Sequence, residues 1–506
     1  MSEKIKLEDI DLAILKNIPY DFAKSNKILV FKEDDEKIYT LLCDENGIFA
    51  LKEIAKNIGK GFEYYHVEEN ELFSLLNQAY SLVSSAETVM GEISGEDLKI
   101  FTSDAELPKD LLELKDEAPV IKLLNALLLE AVKERASDIH IEPYERELEV
   151  RFRVDGVLKK LLSPPKIIQE ALISRIKILA NLDIAEKRLP QDGRIRVVVG
   201  GKDIDIRVSI IPTFFGERAV LRILDRMKGI MTLEELGLSD RNLERFSSIL
   251  TRSNGIILVT GPTGSGKTTT LYGSLLKIYS EEKNIITIED PVEYQIKGVG
   301  QIQVNPKINL TFAAGLRSIL RQDPDIVMVG EIRDRETAEI AVQASLTGHL
   351  VLSTLHTNDA PSALTRLIDM DIEPFLVASS LTGVLAQRLV RKNCPYCKEP
   401  VNLTREEKEK LKSLGYEGID RVYKGKGCNE CRGKGYAGRT GIFELLLVDE
   451  EIKNLILAKK DARTIKEVAV AGGMETLFDD GIAKVKAGFT TLEEVLRVTN
   501  QDYAEL

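Results

Sequence analysis

Apolar and polar positions follow two different rhythms along this chain. Short runs near the start, Lys27-Ile-Leu-Val-Phe31 and Ile38-Tyr-Thr-Leu-Leu42, read as strands, and the spacing from Leu72 to Val83 reads as an amphipathic helix. Gly91 to Glu117 is rich in acidic residues, contains Pro108 and reads as a linker. A strongly apolar helix is predicted over Val120 to Val132. Period-two alternation then marks strands at Leu148–Val154, Arg194–Val199, Asp203–Ile210 and Arg218–Leu224, with arginines and carboxylates on one face and aliphatics on the other. Asp155-Gly156 and Asp192-Gly193 are turn signals. From about residue 231 to 390, apolar strands alternate with helical stretches, the pattern of an α/β domain with a mostly parallel sheet. The remainder holds a cysteine-bearing segment and then mostly helical sequence. The expected domains are an N-terminal docking domain plus linker (1–110), a second, mixed α/β domain (111–230), the α/β core (231–390), a tetracysteine module (391–440) and a helical C-terminal region (441–506).

Composition narrows the class. A chain of 506 residues exceeds one ordinary core. No apolar run approaches the ~18 residues of a membrane span, and the first ten residues lack the apolar core of a signal peptide, so a cytoplasmic location is expected. A net charge of −12 argues against broad nucleic-acid binding, and no direct nucleic-acid partner is expected. Cys43 ends an apolar run and reads as a small buried residue.

The most specific motif is Gly261-Pro262-Thr263-Gly264-Ser265-Gly266-Lys267-Thr268, a phosphate loop between the strand-like run Ile256–Val259 and a helix predicted over Thr268–Tyr279. Glycines let backbone N–H groups approach phosphates, and the helix N-terminus adds partial positive charge. Lys267 is expected to reach the β/γ-phosphates of ATP, and the Thr268 hydroxyl to bind Mg²⁺.

Acidic companions follow. Asp325-Ile-Val-Met-Val-Gly-Glu331 reads as a strand ending in an acid. Many phosphate-loop enzymes carry Asp where Gly330 stands, so Glu331 is assigned to the magnesium shell, directly or through water. Ile285-Ile-Thr-Ile-Glu-Asp-Pro-Val-Glu293 offers Glu289, Asp290 and Glu293 for orienting the attacking water, with Glu293 first because it lies beyond the proline turn. The alternative for any one acid is a helix cap or a pair with Arg317, Arg321 or Arg333. A third strand ends in Ser353-Thr354 with His356 close behind, and His356 is expected to act as a γ-phosphate sensor at the C-terminal end of a parallel strand. His349 reads as structural.

Arg194 and Arg207 lie on polar strand faces of the domain before the core. A planar guanidinium suits triphosphate oxygens, so both are candidates to act on nucleotide, including nucleotide held by a neighbouring subunit. Their alternative is ion pairing with Asp203 and Asp205. The pairs Cys394-x-x-Cys397 and Cys428-x-x-Cys431 supply four thiolates for one tetrahedral ion, for which Zn²⁺ is the natural structural occupant. An iron–sulfur cluster and unmetallated thiols are the alternatives.

Together the phosphate loop, Ile288-Glu-Asp-Pro-Val-Glu293, Leu320–Asp334 and Ser353–Ala360 resemble the Walker A, aspartate, Walker B and histidine boxes of the secretion traffic ATPases. Ala136-Ser-Asp-Ile-His-Ile-Glu-Pro143, Arg151–Gly156, Leu189–Arg194, Leu385-Ala-Gln-Arg-Leu-Val390 and the four cysteines are similar to the same family, and Ile18–Lys24 more weakly to its type II secretion branch. The resemblance implies a RecA-like ATPase core preceded by a smaller PAS-like domain. It also implies a homo-hexamer, peripheral association with the inner membrane, and docking through the N-terminal domain on secretion or pilus platform proteins. Type II secretion is the favoured branch, with a pilus-assembly or DNA-uptake motor as the alternative. A DNA translocase would need a basic stripe, and a nucleotide-gated switch would lack sustained turnover.

Overall fold

The computed structural model describes residues 9–83, apart from positions 16, 17, 19, 45 and 46, together with 119–199, 202–225 and 230–499. The linker expected over 91–117 lies outside the described residues. Two compact units divide the chain, residues 1–227 and 228–506.

In the N-terminal part, β1 (Ile28–Glu33) pairs antiparallel with β2 (Lys37–Leu42), and β2 runs parallel to β3 (Gly61–His66). A parallel neighbour requires a crossover, and the helix Gly47–Ile58 supplies it. The helix Glu69–Val83 adds Leu72, Leu76 and Ala79 to the core formed by Ile28, Leu29, Leu41 and Leu42. Cys43 is partly buried, and burial pushes its thiol above the ordinary range, which suits a packing role.

The second domain is a six-stranded antiparallel sheet in the order β6-β5-β4-β9-β8-β7. Its strands are β4 (Asp138–Pro143), β5 (Leu148–Val154), β6 (Val157–Leu162), β7 (Gln191–Val199), β8 (Lys202–Thr213) and β9 (Gly216–Asp225). Helices Pro119–Lys133 and Gln169–Leu179 share a core with Ile139, Ile141, Phe152, Ile195, Ile206, Val208 and Leu221. Those residues alternate with the polar ones, so one face is covered and the other carries the charges. Asp155 and Gly156 form the expected two-residue turn between β5 and β6, both at positive φ (52° and 85°). Asp192-Gly193 is not a turn. Both lie within β7, Gly193 opposite Val208. Glycine is needed there for close approach, since a Cβ would come 2.7 Å from the Ala180 carbonyl oxygen.

The core of the second unit is a seven-stranded sheet, β12-β11-β13-β14-β10-β15-β18. Its strands are β10 (Gly255–Thr260), β11 (Ile285–Glu289), β12 (Gly300–Gln303), β13 (Ile326–Val329), β14 (Leu350–Leu355), β15 (Leu381–Asn393) and β18 (Tyr436–Leu447). Every pairing is parallel except β15 with β18. Successive residues of β10 feed opposite cores, Ile256 and Leu258 on one side and Ile257 and Val259 on the other, which is why the strand reads as an unbroken apolar run.

The boundary drawn at residue 390 falls inside β15, and the last strand of the sheet comes from beyond the cysteines. The cysteine segment, with its hairpin β16 (Lys398–Asn402) and β17 (Arg421–Gly425), is thus an insertion in the β15-to-β18 connection. Helices Glu450–Leu457, Ala462–Ala471, Leu477–Lys486 and Leu492–Thr499 follow, as the helical pattern predicts. No helix among the described residues is long and apolar enough to cross a membrane.

Candidate functional site

The phosphate loop leaves the C-terminal end of β10, inside the parallel part of the sheet, and enters the helix Lys267–Ile278. Gly261, Gly264 and Gly266 all have positive φ. Gly266 is the left-handed N-cap of the helix, and a Cβ there would lie 2.8 Å from Nε2 of Gln387. Pro262, Thr263 and Gly264 are exposed at the loop tip, Ser265 is buried, and Thr268 is exposed in the first helical turn. Lys267 is buried, and its Nζ donates to the carbonyl oxygens of Gly261 (2.8 Å) and Pro262 (3.0 Å). Burial pulls its pKa down to about 8, opposed by the Glu331 carboxylate and assisted by the Arg388 guanidinium.

Between β10 and the acid-bearing β13 lies β14, so the acid strand is one place removed from the loop strand. Glu331 follows β13, with a side chain 12% exposed, and accepts from Arg333 Nη2 (2.6 Å). His356 follows the intervening β14, and its Nε2 lies 3.3 Å from Glu331 Oε2. The structure therefore brings Lys267, Glu331 and His356 to one edge of the sheet. Ser353 and Thr354 do something different: their hydroxyls donate to the carbonyl oxygens of Val329 and Gly330, both at 2.8 Å, and fix the exit of β13. His349 bonds the Ala344 carbonyl oxygen through Nδ1 (2.8 Å), in keeping with a structural role.

The three acids at and beyond the end of β11 separate by environment. Glu289 is buried and consumed by structure, accepting from the Tyr272 hydroxyl, Thr287 Oγ1 (2.6 Å) and Gln301 Nε2 (3.0 Å). Asp290 is exposed, and Glu293 is half-buried beyond Pro291. The backbone N–H of Glu293 donates to the Tyr272 hydroxyl at 3.1 Å.

The core also carries an arginine that the sequence motifs did not single out. Arg388 on β15 is buried, and its Nη2 donates to Asn358 O (2.8 Å) and Oδ1 (3.1 Å), just after His356. Parallel pairing sets Ala386 opposite Thr260, so Gln387 and Arg388 continue alongside the phosphate loop. Gln387 Oε1 accepts from Thr270 Oγ1 of the loop's helix (2.6 Å). The signal in the sequence was two polar residues interrupting the apolar run Leu385–Val390.

In the second domain, Arg194 is directly opposite Arg207, Arg207 opposite Arg222, Arg222 opposite Asp138, and Asp138 opposite Arg153. The five form one row across β7, β8, β9, β4 and β5 on the face away from the helices. Arg222 Nε donates to Asp138 Oδ1 at 2.9 Å. Arg222 and Arg153 were not singled out, because only strand register reveals the row.

The four predicted cysteines converge, all Sγ atoms within 4.8 Å of one another. Three of the Sγ···Sγ separations are 3.8 Å (Cys394–Cys428), 3.7 Å (Cys397–Cys431) and 3.7 Å (Cys428–Cys431). A regular tetrahedron with metal–sulfur bonds of ~2.3 Å has edges of about 3.8 Å, so the donor set fits one tetrahedral ion. Backbone N–H groups of Cys428 and Gly435 point at Cys431 Sγ, each at 3.2 Å.

This chain belongs to the type II/IV secretion system protein family, whose model matches residues 113–497. Residues 3–86 match the MshEN domain. The chain is 50% identical over 491 residues to the type II secretion system ATPase E of Vibrio cholerae, covering 96% of this chain and 97% of that one. It is 49% identical to the type II secretion system protein E of Pseudomonas aeruginosa, covering 96% and 97%, and 43% identical to the type IV pilus assembly ATPase PilB of Myxococcus xanthus, covering 98% and 89%. Among solved structures, the Legionella pneumophila ATPase DotB shares the fold, with a TM-score of 0.55 and 22% identity over 75% of this chain and 95% of that one. The protein is thus an ATP-hydrolysing enzyme with a RecA-like core.

Proposed function

We propose that this protein is the motor ATPase of a type II secretion system, a cytoplasmic homo-hexamer whose ATP hydrolysis drives pseudopilus assembly. The observation that carries this reading is the convergence of Lys267, Glu331 and His356 at the C-terminal edge of the parallel sheet, in a chain half identical to a type II secretion ATPase along nearly its whole length. Lys267 binds the β/γ-phosphates of ATP, exchanging its two loop carbonyls for phosphate oxygens. Thr268 and Glu331 would hold Mg²⁺, which when bound would supply positive charge to the phosphates. Glu293 orients the attacking water and accepts its proton. The water oxygen bonds to Pγ, the bond from Pγ to the leaving β-phosphate oxygen breaks, and ADP and phosphate result. His356, paired with Glu331, reports the state of the γ-phosphate to the loop after β14.

Arg194 and Arg207 act on nucleotide bound by a neighbouring subunit. Both stand in one row of mostly arginine residues, and a planar guanidinium suits triphosphate oxygens. The tetracysteine insertion holds a structural Zn²⁺, and the N-terminal domain docks on an inner-membrane platform protein. A pilus-assembly motor is the second reading, favoured by the relative from Myxococcus xanthus.

The test is sustained ATP turnover and its rescue by mixing. Glu293→Gln is expected to keep ATP binding and lose at least ~10²-fold in rate. An Arg207→Ala chain is expected to be inactive alone and to regain activity when co-assembled with Glu293→Gln. Proven co-assembly without recovery places Arg207 outside a shared site. Neighbouring genes for secretin and pseudopilin components separate the secretion reading from the pilus reading.

A further inference from the structure

The loop after β11 is tied to the phosphate-loop helix through one buried phenol. Tyr272 lies in the helix that begins at Lys267 and is almost fully buried. Its hydroxyl donates to Oε2 of Glu289 and accepts the backbone N–H groups of Glu293 (3.1 Å) and Tyr294 (3.4 Å). A phenol has one proton, so donation to the carboxylate leaves its lone pairs for those two amides. Burial, with the bond to Glu289 adding to it, raises the Tyr272 pKa, and the hydroxyl stays protonated at any physiological pH.

The same carboxylate organises the other side of the loop. Glu289 Oε1 accepts from Gln301 Nε2, which also donates to the Tyr294 carbonyl oxygen (2.9 Å), while Gln301 Oε1 accepts the Ile296 N–H (2.8 Å). The loop is therefore held by backbone bonds from two side chains, both oriented by Glu289.

We infer that Tyr272 is the positioning residue for Glu293: its hydroxyl, aimed by Glu289, fixes the backbone of the loop bearing Glu293 against the helix that carries Lys267. This rests on the reading of Glu293 as the residue that orients water.

The experiment measures ATPase kinetics of the full chain carrying Tyr272→Phe, Thr287→Val, Glu293→Gln or Tyr272→Phe with Glu293→Gln. Thr287→Val removes another donor from Glu289 (2.6 Å) without touching the Tyr272–Glu293 bond, and so controls for general damage to the buried network. Tyr272→Phe is expected to lower kcat by ~10-fold or more, a share of what a positioned base contributes, with KM nearly unchanged. Thr287→Val is expected to keep most of the rate, and the double variant to be no slower than Glu293→Gln alone. Amide exchange in the segment 290–296 should accelerate in Tyr272→Phe more than in Thr287→Val, which is a local readout even where the variant loses stability. A parent-like kcat for Tyr272→Phe beside a slow Glu293→Gln overturns this inference alone. Additive losses in the double variant overturn it as well. A parent-like Glu293→Gln overturns the reading of Glu293 on which it rests.

Discussion

Glu444 Oε1 accepts the backbone N–H of Ala360 at 2.8 Å, joining β18 to the loop that follows His356. The carboxyl is fully buried, and its other oxygen accepts the N–H of Leu477 at the start of a C-terminal helix (3.4 Å). The Lys466–Asp359 ion pair (3.5 Å) stands near it. Burial pushes Glu444 up to about 7, against the pull of Lys466. A carboxyl with a raised folded pKa binds more protons in the folded state between pH 4.5 and about 7, so its contribution weakens as pH rises through that window. The full swing is about 3 kcal/mol. Thermal unfolding of Glu444→Gln should show a flatter pH dependence than the parent between pH 5 and 8. Parallel pH profiles would count against it.

Arg388 should be needed for turnover rather than for nucleotide binding alone. Its Nη2 donates to both the Asn358 carbonyl and side-chain oxygens, held there by a planar guanidinium that the flexible lysine stem does not match. Both Arg388→Ala and Arg388→Lys are expected to lower kcat by ~10-fold or more, the scale for loss of a buried, charge-assisted contact. Burial, with the Arg388 guanidinium adding to it, lowers the Lys267 pKa. Full activity in Arg388→Lys would reduce its role to a generic charge.

Metal content tests the cysteine insertion. Freshly purified protein is expected to hold about one Zn²⁺ per chain and to lose it in Cys394→Ser or Cys428→Ser, with unfolding of the segment between β15 and β18 at lower temperature. Since β18 completes the core sheet, that loss should reach the ATPase core. Protein prepared without chelators and free of zinc would exclude the assignment.

Deletion of residues 1–110 should leave basal ATPase within a few-fold and abolish recruitment to the membrane. The first domain has its own core around Ile28, Leu41 and Leu76, and no candidate catalytic group lies in it. Normal membrane association of the truncated protein would assign docking elsewhere.

The local features were legible because each depends only on neighbours in the chain. Gly261 to Thr268 encodes its own turn, helix start and phosphate chemistry, and β10 and the helix Lys267–Ile278 appear within a residue or two of where the pattern puts them. The Asp155-Gly156 hairpin is equally local. Two C-x-x-C turns announce a four-sulfur cluster, although the chain between them does not say that it interrupts a sheet.

Long-range register decided the rest. Asp192-Gly193 carries a turn signature, yet pairing with β8 makes it a strand position, and the close approach of Ala180 requires the glycine. Glu289 ends β11 and Glu293 follows it, and only the placement of Tyr272 and Gln301 makes the first a buried organiser. Gln387 and Arg388 reach the phosphate loop because β15 runs parallel beside β10, more than a hundred residues away in sequence. The arginine row exists only when five strands align. By itself the sequence determined the identity and local geometry of the phosphate, acid and cysteine groups, since backbone conformation follows from adjacent residues. Which side chains share a site was decided by tertiary pairing, because strand order and register bring together residues whose separation along the chain carries no trace of the contact.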